Sequence, residues 1–226
     1  MKTIPRLLAM GTIAILSLGA GRPTANWNAT VAVTPSGSHV LGNPAATLKL
    51  TEYVSYTCPH CAAFEREATS PLRLVYVGSG KVSVEVRHVL RDPVDLTVAM
   101  LTNCGPKDKF FMNHAVFMRS QNTWIRTLGT ATQAQRTRWT SGDLGARNRA
   151  IAGDMQFYAI MGTRGYDRPT IDRCLADKAM AERLGAQAKA AVDLGVASTP
   201  SFAINGELLL GTSDWFVLKP QIDARL

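Results

Sequence analysis

Cysteine and histidine are scarce in this chain, four of each among 226 residues. So few cysteines exclude a small disulfide-dense scaffold, in which bridges stand in for a core. Long apolar runs are also missing. The longest, Leu7 to about Ala20, is short for a comfortable membrane span. There are no internal repeats and no segment whose composition forbids folding. Acidic residues are in deficit, and the formal net charge is +8. The arginines cluster at Arg126, Arg136, Arg138, Arg147 and Arg149, interleaved with Trp124 and Trp139. That pattern reads as a solvated basic face, and nucleic acid is not expected as a partner. A hydrophobic content of 46% supports a core for one domain with an insertion.

The first residues read as an export signal over residues 1–21, with cleavage expected between 20 and 25. Lys2 and Arg6 supply the positive start, the apolar run follows, and small residues close it. Removing those two cations leaves about +6. No cysteine lies there to carry a lipid, and an uncleaved anchor is the alternative. The expected location is the periplasm, where the compartment is oxidising.

Among the four cysteines, two stand close together, in Cys58-Pro59-His60-Cys61. The run before them, Thr47 to Val54, alternates like a half-buried strand; the run after, Ala62 to about Val77, reads as a helix. A helix start offers unpaired N–H groups and a partial positive charge, so a thiolate at Cys58 is favoured there. Pro59 suits the first helical position, where its missing N–H has no partner to lose. His60, when protonated, adds a charge beside the sulfur. A zinc site needs two further ligands, and Cys104, Cys174, His39, His88 and His114 are scattered. Redox chemistry at Cys58 and Cys61 is therefore the expectation, with no metal and no cofactor beyond that pair. If the two pair with each other, Cys104 and Cys174 remain for a second bridge; two buried free thiols are the alternative.

Trp27 to Ala46 is polar and punctuated by Gly and Pro, an arm over 22–46 with a short strand near His39-Val40-Leu41. Gly78-Ser79-Gly80 ends the first helix, and Lys81 to Val89 alternates as a second strand. From Pro93 to Leu194 the pattern turns helical, with helices expected over 94–104, 107–119, 144–161, 170–176 and 178–194, and mostly loop over 121–142. Met100, Met112, Met118 and Met161 fall at helical spacing and are expected in the core. Ser201 to Ile204, Asn205-Gly206 and Glu207 to Leu210 give a hairpin, and a last helix follows over 213–226. Ser198-Thr199-Pro200 stands directly before that hairpin. A proline there fits either a cis bond or a trans proline at a strand start.

In these residues the chain resembles the DsbA family of bacterial thiol:disulfide interchange proteins, and the subgroup with a helical insertion and a second cysteine pair. The resemblance is carried by Glu52, Cys58-Pro59-His60-Cys61, Phe64-Glu65, Val196 to Phe202 and Ile204-Asn205-Gly206. The Cys104 region with Lys109-Phe110-Phe111, and Cys174-Leu175-Ala176-Asp177, also match. It implies an α/β, thioredoxin-like fold, a mixed sheet flanked by helices with an inserted all-helical domain. The core would be split over 47–92 and 195–226 around an insertion over 93–194. It implies a cis Pro200 facing the cysteines, a Thr199 backbone that pairs with substrate peptide, and a buried Glu52 exchanging a proton with Cys61. Glu65 is assigned to the exposed face of the helix. The implied function is an exported oxidase that puts disulfides into reduced proteins through an exposed Cys58 sulfur. The implied partners are those clients and a membrane quinone-linked reoxidase of DsbB type. Thr199 departs from the valine common in the strongest oxidases, so isomerase or reductase direction is the alternative, and a peptide-binding holdase a remoter one. The short arm favours a monomer over a dimer built on an N-terminal domain.

Overall fold

The polar arm folds into the sheet. The computed structural model describes residues 25–226, and the expected export signal lies outside them. Within the arm, β1 (Val31–Val33) and β2 (His39–Gly42) form an antiparallel pair. The turn between them closes on Gly37, at φ +82°. The alternating stretch gives β3 (Leu48–Val54), followed by α1 (Pro59–Pro71) and β4 (Val82–His88). β3 and β4 run parallel, as a strand–helix–strand unit requires.

The helical block comprises α2 (Pro93–Thr102), α3 (Phe110–Arg119), α4 (Gln121–Thr130), α5 (Gln133–Thr140), α6 (Leu144–Asp154), α7 (Phe157–Thr163), α8 (Arg168–Leu175) and α9 (Lys178–Asp193). The chain then returns through β5 (Ser201–Ile204), β6 (Glu207–Leu208) and α10 (Trp215–Asp223). The strand order is β1-β2-β4-β3-β5-β6, mixed, with helices against it, which is the thioredoxin-like arrangement. β3 is flanked by strands on both sides, and six of its seven residues are buried.

Several elements depart from their sequence signals for identifiable reasons. Residues 121–142 are two helices rather than mostly loop. Thr132 and Gln135 close a reciprocal capping box, and Trp124 and Trp139 are buried. The stretch 144–161 breaks into α6 and α7, because Gln156 takes a left-handed conformation at φ 62°. The first helix continues through a π-helical turn over Leu72–Val77, just after Pro71, and Gly78 N–H reaches back five residues to the Arg73 carbonyl. The second hairpin strand stops at Leu208, and Leu210 is exposed. Met100, Met118 and Met161 are fully buried, but Met112 is half exposed.

The core has two large parts. Leu50, Phe64, Leu72, Phe202, Leu218 and Ile222 fill the space between sheet, α1 and α10. Phe117, Trp124 and Phe157 pack edge-to-face in the helical block, with ring centroids 5.3 Å apart from Phe157 to each neighbour. This second part runs without interruption into Val54, Tyr56, Cys58, Cys61 and Ala62. Each such side chain contributes about 1.5–3 kcal/mol by leaving water. The helical block thus shares a core with the cysteine segment.

Cys104, just after α2, is bonded to Cys174 in α8. Beside it Tyr166 donates to the Cys104 carbonyl at 2.8 Å, and Gly105, at φ +82°, leaves room for the ring; a Cβ there would sit 2.8 Å from the phenol oxygen. The bridge closes a long loop of the unfolded chain. Replacing both cysteines with serine should lower stability by about 2–5 kcal/mol in denaturant unfolding, with the Cys58–Cys61 pair held in one redox state throughout. A loss under 1 kcal/mol would mean that the helices alone fix this corner.

Candidate functional site

Cys58 is the N-cap of α1, with extended backbone (φ −91°, ψ 119°), and Pro59 opens the first turn. Its thiol is drawn down to about 5. The hydrogen bond from the Cys61 thiol is the largest cause; the Thr199 side chain and the backbone N–H groups of Cys61 and His60 add to it, against the opposing effect of burial. Cys61, one turn on and fully buried, is pushed well above the ordinary thiol value, chiefly by burial and then by the thiol and charge of Cys58. The buried partner thiol, with the Thr199 side chain and the N–H groups of the helix start, thus separates two identical side chains into a thiolate and a thiol. Both are free in this structure. Across from them the Thr199–Pro200 bond is cis, and Cys58 Sγ lies 3.1 Å from the Thr199 carbonyl oxygen, to which it donates when protonated.

The loop before Cys58 is held by the helical block. The buried carboxylate of Asp95 accepts from the Ser55 hydroxyl (2.6 Å), the Tyr56 N–H (2.8 Å) and the Arg91 N–H (3.1 Å). Burial pushes its carboxyl up to about 7. Asp92 caps α2 through the Asp95 N–H and accepts from the Thr57 hydroxyl. From α4, the buried Gln121 amide donates to the carbonyls of Tyr56 (2.6 Å) and Cys58 (2.9 Å). The Tyr56 hydroxyl bonds Thr102 and His114. Asp95, Gln121 and His114 carry no local sequence signal of this kind, because each acts through contacts dozens of residues away.

Behind the cysteines, Glu52 is buried on β3, and its carboxyl is pushed up to about 8 by burial and then by the charge of Glu65. Glu65 is not on an exposed face. α3 packs over α1 and covers it, and the Glu65 carboxylate takes Arg119 Nε at 3.1 Å and the Thr69 hydroxyl at 2.6 Å, with His114 Nε2 at 3.8 Å. A cavity of about 40 Å³ lies between Glu52, Glu65 and His114, roomy enough for water.

The structure therefore brings Glu52, Cys58, Pro59, Cys61, Thr199 and Pro200 together, with Cys104 and Cys174 elsewhere. His60 sits at the same turn with its ring exposed, and its backbone N–H is among the main groups that lower Cys58. Cys58 is 3% exposed, so its sulfur is not freely exposed. Its outlet is a groove of about 610 Å³ between Val89, Val192, Val196 and Thr199. Among the described residues no three His, Cys, Asp or Glu side chains converge as metal ligands.

The sequence profile described as Thioredoxin matches residues 34–224. The chain belongs to the thioredoxin family. Within that family it is 53% identical to a protein-disulfide isomerase from Novosphingobium aromaticivorans, whose crystal structure it matches at a TM-score of 0.80. That match covers 84% of this chain and 97% of the other. It shares the fold of Wolbachia pipientis alpha-DsbA1 at a TM-score of 0.67 and 20% identity, over 85% of this chain and 92% of that one. A Rickettsia typhi protein named as a protein-disulfide oxidoreductase is 33% identical over 86 residues, 38% of this chain. The match spans only 32% of that curated relative's length. Among the described residues, this thioredoxin-family chain has no helix long and apolar enough to cross a membrane.

The displaced Cys58 thiol makes stability depend on pH in the reduced form only. Between about pH 5 and 9 the unfolded chain holds a proton on Cys58 that the folded chain has lost, so folding stability gains as pH rises. Between about pH 4.5 and 8 Glu52 acts oppositely, because the folded state holds a proton that the unfolded chain has lost, and the oxidised protein serves as the reference for it. The stability of reduced over oxidised protein should therefore rise from pH 5, by about 3 kcal/mol at pH 7. Denaturant unfolding of both forms across this range measures it; a flat difference would place the Cys58 pKa near its ordinary value.

Proposed function

We propose that this chain is a thiol:disulfide oxidoreductase that introduces disulfides into reduced, exported client proteins. The observation that carries the reading is the division of Cys58 and Cys61 into a low-pKa, groove-facing sulfur and a buried, high-pKa one beside a cis Thr199–Pro200 bond. A client thiolate attacks Cys58 Sγ of the Cys58–Cys61 disulfide. The S–S bond breaks, Cys61 leaves as a thiolate, and Glu52 supplies its proton. A second client thiolate attacks the client-side sulfur of the mixed disulfide and expels Cys58, a good leaving group because its thiolate is stable. Two electrons pass from client to enzyme. Thr199 offers backbone on which an extended client segment adds as a short strand.

Returning the enzyme to its disulfide needs an electron acceptor, for which we propose a DsbB-type membrane quinone reductase. The proposed location is the periplasm and the proposed state a monomer. The name of the Novosphingobium relative and the threonine at 199 favour isomerisation as the second reading. Equilibration with glutathione decides between them. Each pKa unit of depression stabilises the reduced form by about 1.4 kcal/mol and raises the potential by roughly 30 mV. An oxidase should equilibrate as a strong oxidant; a value near that of a reducing thioredoxin would select the isomerase or reductase.

Two substitutions test the assigned roles. His60→Ala keeps the backbone N–H that faces Cys58, so the thiolate titration should move by less than about one unit and the potential by less than roughly 30 mV; a two-unit rise would assign the effect to the imidazole. Glu52→Gln removes the proton donor. Release of Cys61 should slow by about tenfold or more near pH 7, while alkylation of Cys58 at mildly acidic pH keeps its rate; equal loss in both would make Glu52 a folding residue only.

A further inference from the structure

The groove that opens on Cys58 does not end there. Its floor is Cys58, Pro59 and His60, one wall is Val192 with Val196 to Thr199, and the other is Val89 and Arg91. A second recess of about 330 Å³ starts at the same Arg91 and runs past Leu96, Trp139 and Leu144 to Arg147. Arg91 lines both, so the two recesses adjoin at its side chain, and together they are termed the trough. Val192 is 64% exposed on its rim, although it is a large apolar side chain.

The trough carries a positive excess. Among the described residues no carboxylate lies within 4.0 Å of the Arg91 or Arg147 side chain, whereas Arg87, Arg119 and Arg138 are each paired. The acid on the trough, Asp92, is held inward by the Asp95 N–H on Oδ1 and the Thr57 hydroxyl on Oδ2, so two guanidinium groups stand against one carboxylate. The backbone of Arg91 is held relative to Cys58. Its N–H binds the same Asp95 carboxylate that holds Ser55 and Tyr56, three and two residues before Cys58. Apolar walls and unpaired guanidinium groups are complementary to an extended peptide with apolar and acidic side chains.

Resting on the exchange reading above, we propose that this trough seats the client segment and selects clients with Asp or Glu within a few residues of the reacting cysteine, through Arg91 first and Arg147 further along. Of the basic arginine pattern, Arg147 then has a function, joined there by Arg91 from outside the pattern.

The experiment uses the full oxidised protein and synthetic peptides with one cysteine, identical except for Asp, Asn or Lys placed up to four residues to either side. The rate of mixed-disulfide formation at Cys58 is measured by acid quench and mass spectrometry. It is divided by the rate of the same peptide with 2-hydroxyethyl disulfide, which removes the effect of the neighbouring charge on the peptide thiol itself. The corrected rate should favour Asp over Lys by about threefold to tenfold on one side of the cysteine, and the preference should shrink as salt rises. Arg91→Glu should invert the ratio and Arg91→Gln should abolish it, whatever either does to the absolute rate. Equal corrected rates for Asp and Lys peptides would overturn the trough while leaving the exchange reading intact, as would a preference that survives both Arg91 variants. Failure of every peptide and of dithiothreitol to reduce the Cys58–Cys61 disulfide would instead overturn the exchange reading.

Discussion

A buried carboxylate sets the geometry of the site. Asp95 has three hydrogen bonds, and they tie the exit of the central strand to the start of the helical block. A buried acid left without such partners would cost several kcal/mol, so the loop is held to it and it to the loop. Cys58 follows three residues after Ser55. Its position at the helix start, its distance from the Thr199 carbonyl and the placing of Arg91 all follow from that clamp. Gln121 adds a second grip from another helix, on the carbonyls that flank the turn.

Given that geometry, the chemical asymmetry needs no special group. The two sulfurs differ because Cys58 receives the Cys61 thiol's hydrogen bond first, then the Thr199 side chain and the N–H groups of the helix start, while Cys61 lies a turn deeper, away from water. Glu52 and Glu65 extend the same logic. Two acids share one buried region; Arg119 lies on Glu65, and Glu52, with no cation within 4.0 Å among the described residues, keeps its proton to about pH 8. A carboxyl that is protonated in the neutral range behind the buried Cys61 sulfur is thereby produced by burial and a neighbour.

Local signals were legible in the sequence, and so was the resemblance. The period-two strands, the CxxC at a strand-to-helix junction and the Asn-Gly hairpin are short-range features, and they stand where expected. What was not legible depends on contacts across the chain. Glu65 looks solvent-facing on its own helix and is buried by another. Residues 121–142 look like loop by composition, yet two tryptophans and a capping box make them helical. Gln156 breaks a helix by taking the left-handed conformation itself, three residues after Gly153, whose signal alone does not mark the break. The arm's first strand, three residues long, acquires its state from the partner it pairs with.

The Cys104–Cys174 bond spans α3 to α7 as well as joining its two helices. The exposed joints on either side of α5, near residues 131–132 and 141–143, both lie inside that loop. A protease that cuts either joint would therefore leave a chain in two pieces that still migrates as one until the bridge is reduced. The sulfur bond makes the helical block tolerant of a nick, and the pieces that meet at Cys58, one supplied from before the cut and Thr199 from after it, stay covalently joined.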